Sequence, residues 1–161
     1  MQKITIERLG QQGDGIGDDG SFVPFSLPGE VFVDGKRQND SPDRVTPICK
    51  HFGSCGGCSL QHASDAFLAD WKQDVVRRAL AAQGLEAEFL PIAVSPPASR
   101  RRVVFSGRRT KKTTVVGFHR RASDTAFALE ECKLVVPELL TALPACHELL
   151  TTGGSRKGEL K

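Results

Sequence analysis

Aromatic residues make up only 6% of the sequence and hydrophobic residues 39%, so core-forming material is slightly thin for a globular chain. No stretch approaches the ~20 consecutive apolar residues of a membrane span. The opening Met1-Gln2-Lys3-Ile4-Thr5 lacks the apolar segment of a signal peptide. A cytoplasmic, monomeric protein with no membrane partner is therefore expected. Five cysteines without a secretory leader argue against a disulfide scaffold and for reduced thiols or a metal site. Acid is missing from one whole segment. Between Glu88 and Asp124 there is none, while Arg100, Arg101, Arg102, Arg108, Arg109, Lys111, Lys112, Arg120 and Arg121 all fall there. The net charge of +3 thus hides a basic segment on a remainder that carries −6. Such asymmetry predicts a local polyanion contact.

What is present fits one domain or two small ones in 161 residues. Residues 1–35 read as short strands: Ile4, Ile6 and Leu9 near strand spacing, then Phe22-Val23 and Val31-Phe32-Val33, punctuated by glycine and proline. Gly13-Asp14-Gly15-Ile16-Gly17 is not a dinucleotide loop, because the spacing is wrong and no long helix follows. Residues 36–48 are polar and contain proline, as a linker would. Phe67, Leu68, Trp71, Val75 and Ala79 form an apolar stripe that predicts a helix over 64–83, capped by Ser64 and stopped at Gly84. Trp71 reads as a core anchor. Residues 102–106 and 113–118 predict a hairpin around the turn 108–112, with a third strand at 125–129. Pro137 suits the first turn of a helix through Leu149, which Pro144 should split. The terminal Gly158-Glu159-Leu160-Lys161 has no evident partner.

Cys49, Cys55 and Cys58 form a C-x5-C-x2-C arm with glycines at 56 and 57. Two glycines allow the backbone to wrap a metal centre. A fourth thiolate is available from Cys132 or Cys146. Three thiolates on one arm with a remote fourth suit an iron–sulfur cluster; zinc, which favours paired two-ligand arms, and a metal-free site stay open. Cys146 sits at helical spacing with Leu143, Leu149 and Leu150, where a buried apolar thiol is the ordinary reading. His51 and His62 flank the arm and suit hydrogen bonding around it more than ligation.

The string from Cys49 through Cys55-Gly56-Gly57-Cys58 to Gln61-His62 resembles the cluster loop of the RNA uracil-5-methyltransferases. This is the RumA/TrmA-like family, on the side of its large-subunit ribosomal RNA branch. Trp71-Lys72-Gln73-Asp74-Val75-Val76 and Gly117-Phe118-His119-Arg120-Arg121-Ala122-Ser123, leading into Glu131-Cys132, resemble the same family. Gly13-x-Gly15-x-Gly17, Phe22-Val23-Pro24 and Leu27-Pro28-Gly29-Glu30 resemble its TRAM domain, an OB-like RNA-binding barrel. The resemblance implies an α+β chain: a shortened antiparallel TRAM-like β domain over 1–40, then an incomplete mixed α/β cluster-binding central domain over 41–161. It implies a 4Fe-4S cluster on Cys49, Cys55, Cys58 and Cys132, and RNA, ribosomal by branch, as partner. Only residues 34–48 separate Val33 from Cys49, so the last one or two barrel strands are expected to be missing. Lys133 follows Cys132 where the family usually has proline.

Such enzymes continue into a domain that binds S-adenosylmethionine and carries a cysteine that attacks uracil C6 and a glutamate base. Neither residue has a candidate here, so the chain is expected to lack the catalytic domain and to be inactive alone. Because that chemistry needs no electron, the cluster is expected to be structural, with redox sensing second. Arg100, Arg101, Arg102, Arg108, Arg109, Lys111, Lys112, His119, Arg120 and Arg121 are the candidate RNA-binding residues, set against a merely solvated basic face. Phe105 and Phe118 read as core. The other reading of the whole is a freestanding, non-enzymatic metal-binding module that binds RNA or senses redox state.

Overall fold

The computed structural model describes residues 2–155 and 158–160. Met1 and Lys161, the outer limits of the two expected domains, lie outside them. The fold is α+β, in two compact units that interleave along the chain: Met1–Pro47 with Ser59–Val94, and Ile48–Cys58 with Ser95–Lys161.

The first unit begins with β1 (Lys3–Leu9), β2 (Gly15–Gly17), β3 (Phe22–Val23), β4 (Val31–Val33) and β5 (Lys36–Arg37). They form one antiparallel sheet in the order β3-β2-β1-β4-β5. Pairing of β1 with β2 shifts register between Ile6 and Arg8, and this irregularity leaves both Ile6 and Leu9 buried. The glycines of β2 are steric necessities. A Cβ on Gly15 would stand 2.0 Å from Ser26 Oγ, and one on Gly17 would stand 2.4 Å from Ile4 Cγ2. The Gly-x-Gly run therefore serves close strand packing.

Helix α1 (Asp65–Ala81) starts as the sequence predicts, with Ser64 Oγ accepting from Phe67 N at 3.3 Å and Asp65 in the first turn. Phe67, Leu68 and Trp71 pack on the core of Leu9, Leu27 and Ala63. Residues 36–48 are not a free linker. Lys36 and Arg37 form β5, Ser41 is buried, and the Arg44 guanidinium reaches Glu30, which has no exposed surface. A polar composition conceals this, because the partner lies fourteen positions upstream.

The second unit holds β6 (Ser106–Arg109), β7 (Thr114–His119), β8 (Ala126–Ala128), α2 (Pro137–Leu140), α3 (Leu143–Gly153) and β9 (Glu159–Leu160). Its antiparallel sheet runs β8-β7-β6-β9. The predicted hairpin exists with a tighter turn and a later first strand. Thr110 N donates to Thr113 O at 2.8 Å, and Thr113 N to Thr110 Oγ1 at 2.9 Å, so Arg108 and Arg109 join the ladder and residues 102–105 stay outside it. The predicted third strand is β8. The proline-started helix splits into α2 and α3, as Pro144 predicts. Leu150 of α3 is buried. The terminal segment, expected to be unpartnered, pairs Glu159 and Leu160 with Arg108 and Gly107 of β6. No helix among the described residues is long and apolar enough to cross a membrane.

Candidate functional site

The cysteine arm belongs to the second unit together with Cys132. It is a short turn-rich loop tied down by its own backbone: Cys55 N and Ser54 N both donate to His51 O, at 2.9 and 3.1 Å. Gly57 N donates to Cys55 Sγ at 3.4 Å, an amide turned toward the thiol sulfur. The loop lies against the chain after β7. Cys55 bridges Arg120, Gly56 N donates to His119 O at 2.9 Å, and Arg121 N donates to Ser54 O at 3.2 Å. A Cβ on Gly56 would meet His119 O at 3.0 Å and Arg120 O at 3.2 Å, so glycine is what lets the two backbones approach.

The Cys132 segment is held to the arm through neighbours of the cysteines. Lys50 Nζ lies 2.6 Å from Glu130 Oε2. The hydrogen bond from Glu130 raises the pKa of Lys50, and the same bond lowers that of Glu130. Glu131, bonded to Lys133, is also lowered. All four expected ligands lie outside any disulfide and are half-buried, as is Cys146 on α3. Among the described residues no three His, Cys, Asp or Glu side chains form a group that could hold a metal ion. One polar atom inside the arm is orphaned: His51 Nε2 is buried without a hydrogen-bond partner. The His51 ring stands edge-on to Phe127 at 5.0 Å, and the Arg120 guanidinium covers Phe127 at 5.2 Å. His62 takes a different place. It is a core residue of the first unit, edge-on to Phe25 at 6.0 Å, and burial lowers its pKa.

The structure gathers four of the ten basic candidates. Arg100, His119, Arg120 and Arg121 line an open cleft of about 410 Å³ with Gly56 and Gly57 of the cysteine arm. Ser106 and Ser123 also line it; isolated serines give no signal in the sequence. Arg100 is brought there by a backbone bridge to Val135, with Arg100 N donating to Leu134 O at 2.9 Å. The remaining six do not line this cleft. Arg101 and Arg102 are exposed on the irregular stretch before β6; Arg108, Lys111 and Lys112 are exposed on the hairpin. Arg109 is half-buried and donates to Gly154 O at 3.1 Å. Phe105 and Phe118 pack with ring centroids 5.6 Å apart, and Phe118 also reaches the cleft wall.

A half-buried thiol arm beside an arginine-lined cleft, on an α+β scaffold, describes a protein that offers cations and soft ligands together. Comparison with known proteins gives this class its family. No protein-family model matches the chain. A protein of Caulobacter vibrioides named an RNA methyltransferase is 45% identical over 92% of the chain and 40% of its own length. One of Brucella suis with the same designation is 38% identical over 91% of the chain and 38% of its own length. A 23S rRNA (uracil(1939)-C(5))-methyltransferase of Nitrosococcus oceani is 34% identical over 94% of the chain and 39% of its own length. The chain belongs to this family of RNA methyltransferases. It spans about 40% of the length of the relatives it matches.

Proposed function

We propose that the chain is the RNA-binding and cluster-binding portion of an S-adenosylmethionine-dependent RNA (uracil-5-)methyltransferase that acts on ribosomal RNA. One observation carries the reading: the cleft in which Arg100, His119, Arg120 and Arg121 meet the Gly56-Gly57 turn of the cysteine arm. Guanidinium groups on the walls supply bidentate phosphate contacts, and the side-chain-free turn lets a nucleotide backbone approach closely. His119, on the cleft wall, would stack on an unpaired base. Phe127 holds the Arg120 guanidinium over its ring, and so limits the freedom that Arg120 would lose on binding.

Cys49, Cys55, Cys58 and Cys132 would hold a 4Fe-4S cluster. The donor set supports a cluster over a lone ion, because a cubane takes each thiolate on a separate iron and the four sulfurs need not converge on one point. The orphaned His51 Nε2 and the Gly57 amide supply the hydrogen bonds that cluster or thiolate sulfur would accept. When bound, the cluster would act as a cross-link between the arm and the Cys132 segment. The first unit's antiparallel sheet is read as the shortened TRAM-like, OB-related module.

The test is binding of a single-stranded ribosomal RNA fragment, followed by fluorescence anisotropy. Arg120→Glu with Arg121→Glu should weaken binding by about tenfold or more, as loss of two phosphate contacts requires. Unchanged affinity would remove the cleft from RNA recognition. The 161-residue chain alone is expected to transfer no methyl group from S-adenosylmethionine to that RNA, and measurable transfer would reveal an overlooked catalytic site.

A further inference from the structure

We propose that α1 and the segment 85–94 form a docking surface for the part of the longer methyltransferase polypeptide that has no counterpart in these 161 residues. The first observation is a helix with too little to pack on. Of the seventeen residues of α1 none is buried, and its partners in the core, through Phe67, Leu68 and Trp71, lie in its first half. The second is apolar surface where a small unit should have little. Val76 is 50% exposed, Leu85 56%, Leu90 82% and Val94 66%. Apolar surface concentrated in this way marks an interaction site.

The third observation is a backbone with almost no partners. The chain turns back along α1 after Gly84, held by the Arg77 guanidinium over the Phe89 ring at 4.8 Å and by Gln73 Nε2 donating to Leu90 O at 3.1 Å. From Glu86 to Val94 that Leu90 carbonyl is the one backbone group with a partner among the described residues. Apolar side chains and open amides together are what a segment shows when its natural neighbour is protein, since water satisfies only the amides.

The occupant follows from length and charge. The relatives are about two and a half times as long as this chain, so each carries polypeptide able to cover the segment. RNA does not fit: residues 64–94 hold Asp65, Asp70, Asp74, Glu86 and Glu88 against Lys72, Arg77 and Arg78, an acidic surplus that repels phosphate. The covering face is apolar with a basic rim. The inference rests on kinship with the longer relatives and on neither the cluster nor RNA binding, so it stands or falls apart from them.

Hydrogen–deuterium exchange tests it on this 161-residue chain and on the Caulobacter vibrioides relative. Amides of 86–94 should exchange at near-intrinsic rates here, and the aligned amides of the relative should exchange at least about tenfold more slowly. Equally fast exchange in the relative overturns the proposal. Protection in this chain that fades on dilution would make a second copy the occupant, and protection that needs added RNA would make it RNA; either also overturns it. Leu90→Asp with Ile92→Asp supplies a second arm. The pair should leave the thermal midpoint of this chain within about 2 °C, as exposed sites do, and should lower that of the relative at the aligned positions. A fall in this chain, or no change in the relative, refutes the docking surface.

Discussion

Removing Glu30 should strongly destabilise the first unit, because this buried side chain satisfies several buried groups at once. Glu30 has no exposed surface. Its carboxylate accepts from Leu27 N at 3.0 Å, from Ser41 N at 3.3 Å, and from both Nε and Nη2 of Arg44, the latter at 2.8 Å. Arg44 Nη2 donates onward to Phe25 O at 2.7 Å. Glu30→Ala leaves two backbone amides without acceptors, at about 1–3 kcal/mol each when buried, and strands a guanidinium that is largely shielded from water. Breaking one side of such a pair costs about 3–5 kcal/mol. For a unit of this size each kcal/mol lowers the midpoint by roughly 4–8 °C.

Trp71 is the only tryptophan and packs against the same core, so its fluorescence in urea reports this unit. Glu30→Leu with Arg44→Met should recover much of the loss, since replacing a whole buried pair by apolar groups is often neutral. Acid should act through the same group. Burial alone would raise the Glu30 pKa, but the Arg44 hydrogen bond and the Leu27 and Ser41 amides outweigh it and hold the carboxyl below its ordinary value. A carboxylate depressed on folding stabilises fully above its unfolded pKa of about 4.3. That contribution is lost as pH falls through the lower folded value. A Glu30→Ala cost under about 1 kcal/mol would refute the reasoning, for that is the range of an exposed ion pair.

Other expectations can be checked on the same protein. Anaerobically prepared chain should contain iron and acid-labile sulfide; Cys132→Ser should lose both and Cys146→Ser should keep them, whereas stoichiometric zinc without sulfide would refute the cluster. Gly117→Ala should cost about 1–3 kcal/mol or more by urea denaturation of the second unit, because a Cβ there would stand 2.0 Å from Phe127 O and 2.8 Å from Leu129 N; an unchanged midpoint would mean the β7–β8 pairing is misread. Lys111→Glu with Lys112→Glu should flatten the salt dependence of RNA binding by roughly 0.7 in log–log slope per lost single-strand phosphate contact and leave cluster content unchanged. An unchanged slope would return the hairpin tip to solvated surface.

Local signals in the sequence translate directly into structure. Ser64 followed by an apolar stripe becomes a capped helix, and the β-branched Thr-Val-Val run becomes β7, since both depend on residues within one turn or one strand. The hairpin boundary is missed because the turn is closed by threonine hydroxyls, which composition does not distinguish from strand threonines. Partnerships across many positions are less legible. Arg44 reads as linker because its carboxylate partner Glu30 stands on the far side of two strands, β4 and β5, and Glu159-Leu160 reads as a loose end because an edge strand of two residues has no periodicity. The segment 85–94 carries no motif in the sequence, and only the structure shows Leu85, Leu90 and Val94 exposed in the unit that contains it.

The site was legible in kind more than in membership. Charge asymmetry identifies the basic segment, but charge cannot separate Arg100, Arg120 and Arg121, which line the cleft, from Arg109, which caps a carbonyl of α3's end. That distinction is made by backbone pairing at Val135 and by the docking of the cysteine arm on His119. The Cys-to-His string shows the same limit from the other side. Its residues are contiguous and read as one cluster loop, yet the compact units part between Cys58 and Ser59. His51 stays with the thiols and keeps an unsatisfied ring nitrogen there, while His62 fills the core of the other unit. The two histidines, equivalent by position around the arm, therefore lie in different units: if the proposed cluster binds, substituting His51 should lower iron content before it lowers the unfolding midpoint, and substituting His62 should destabilise the first unit alone.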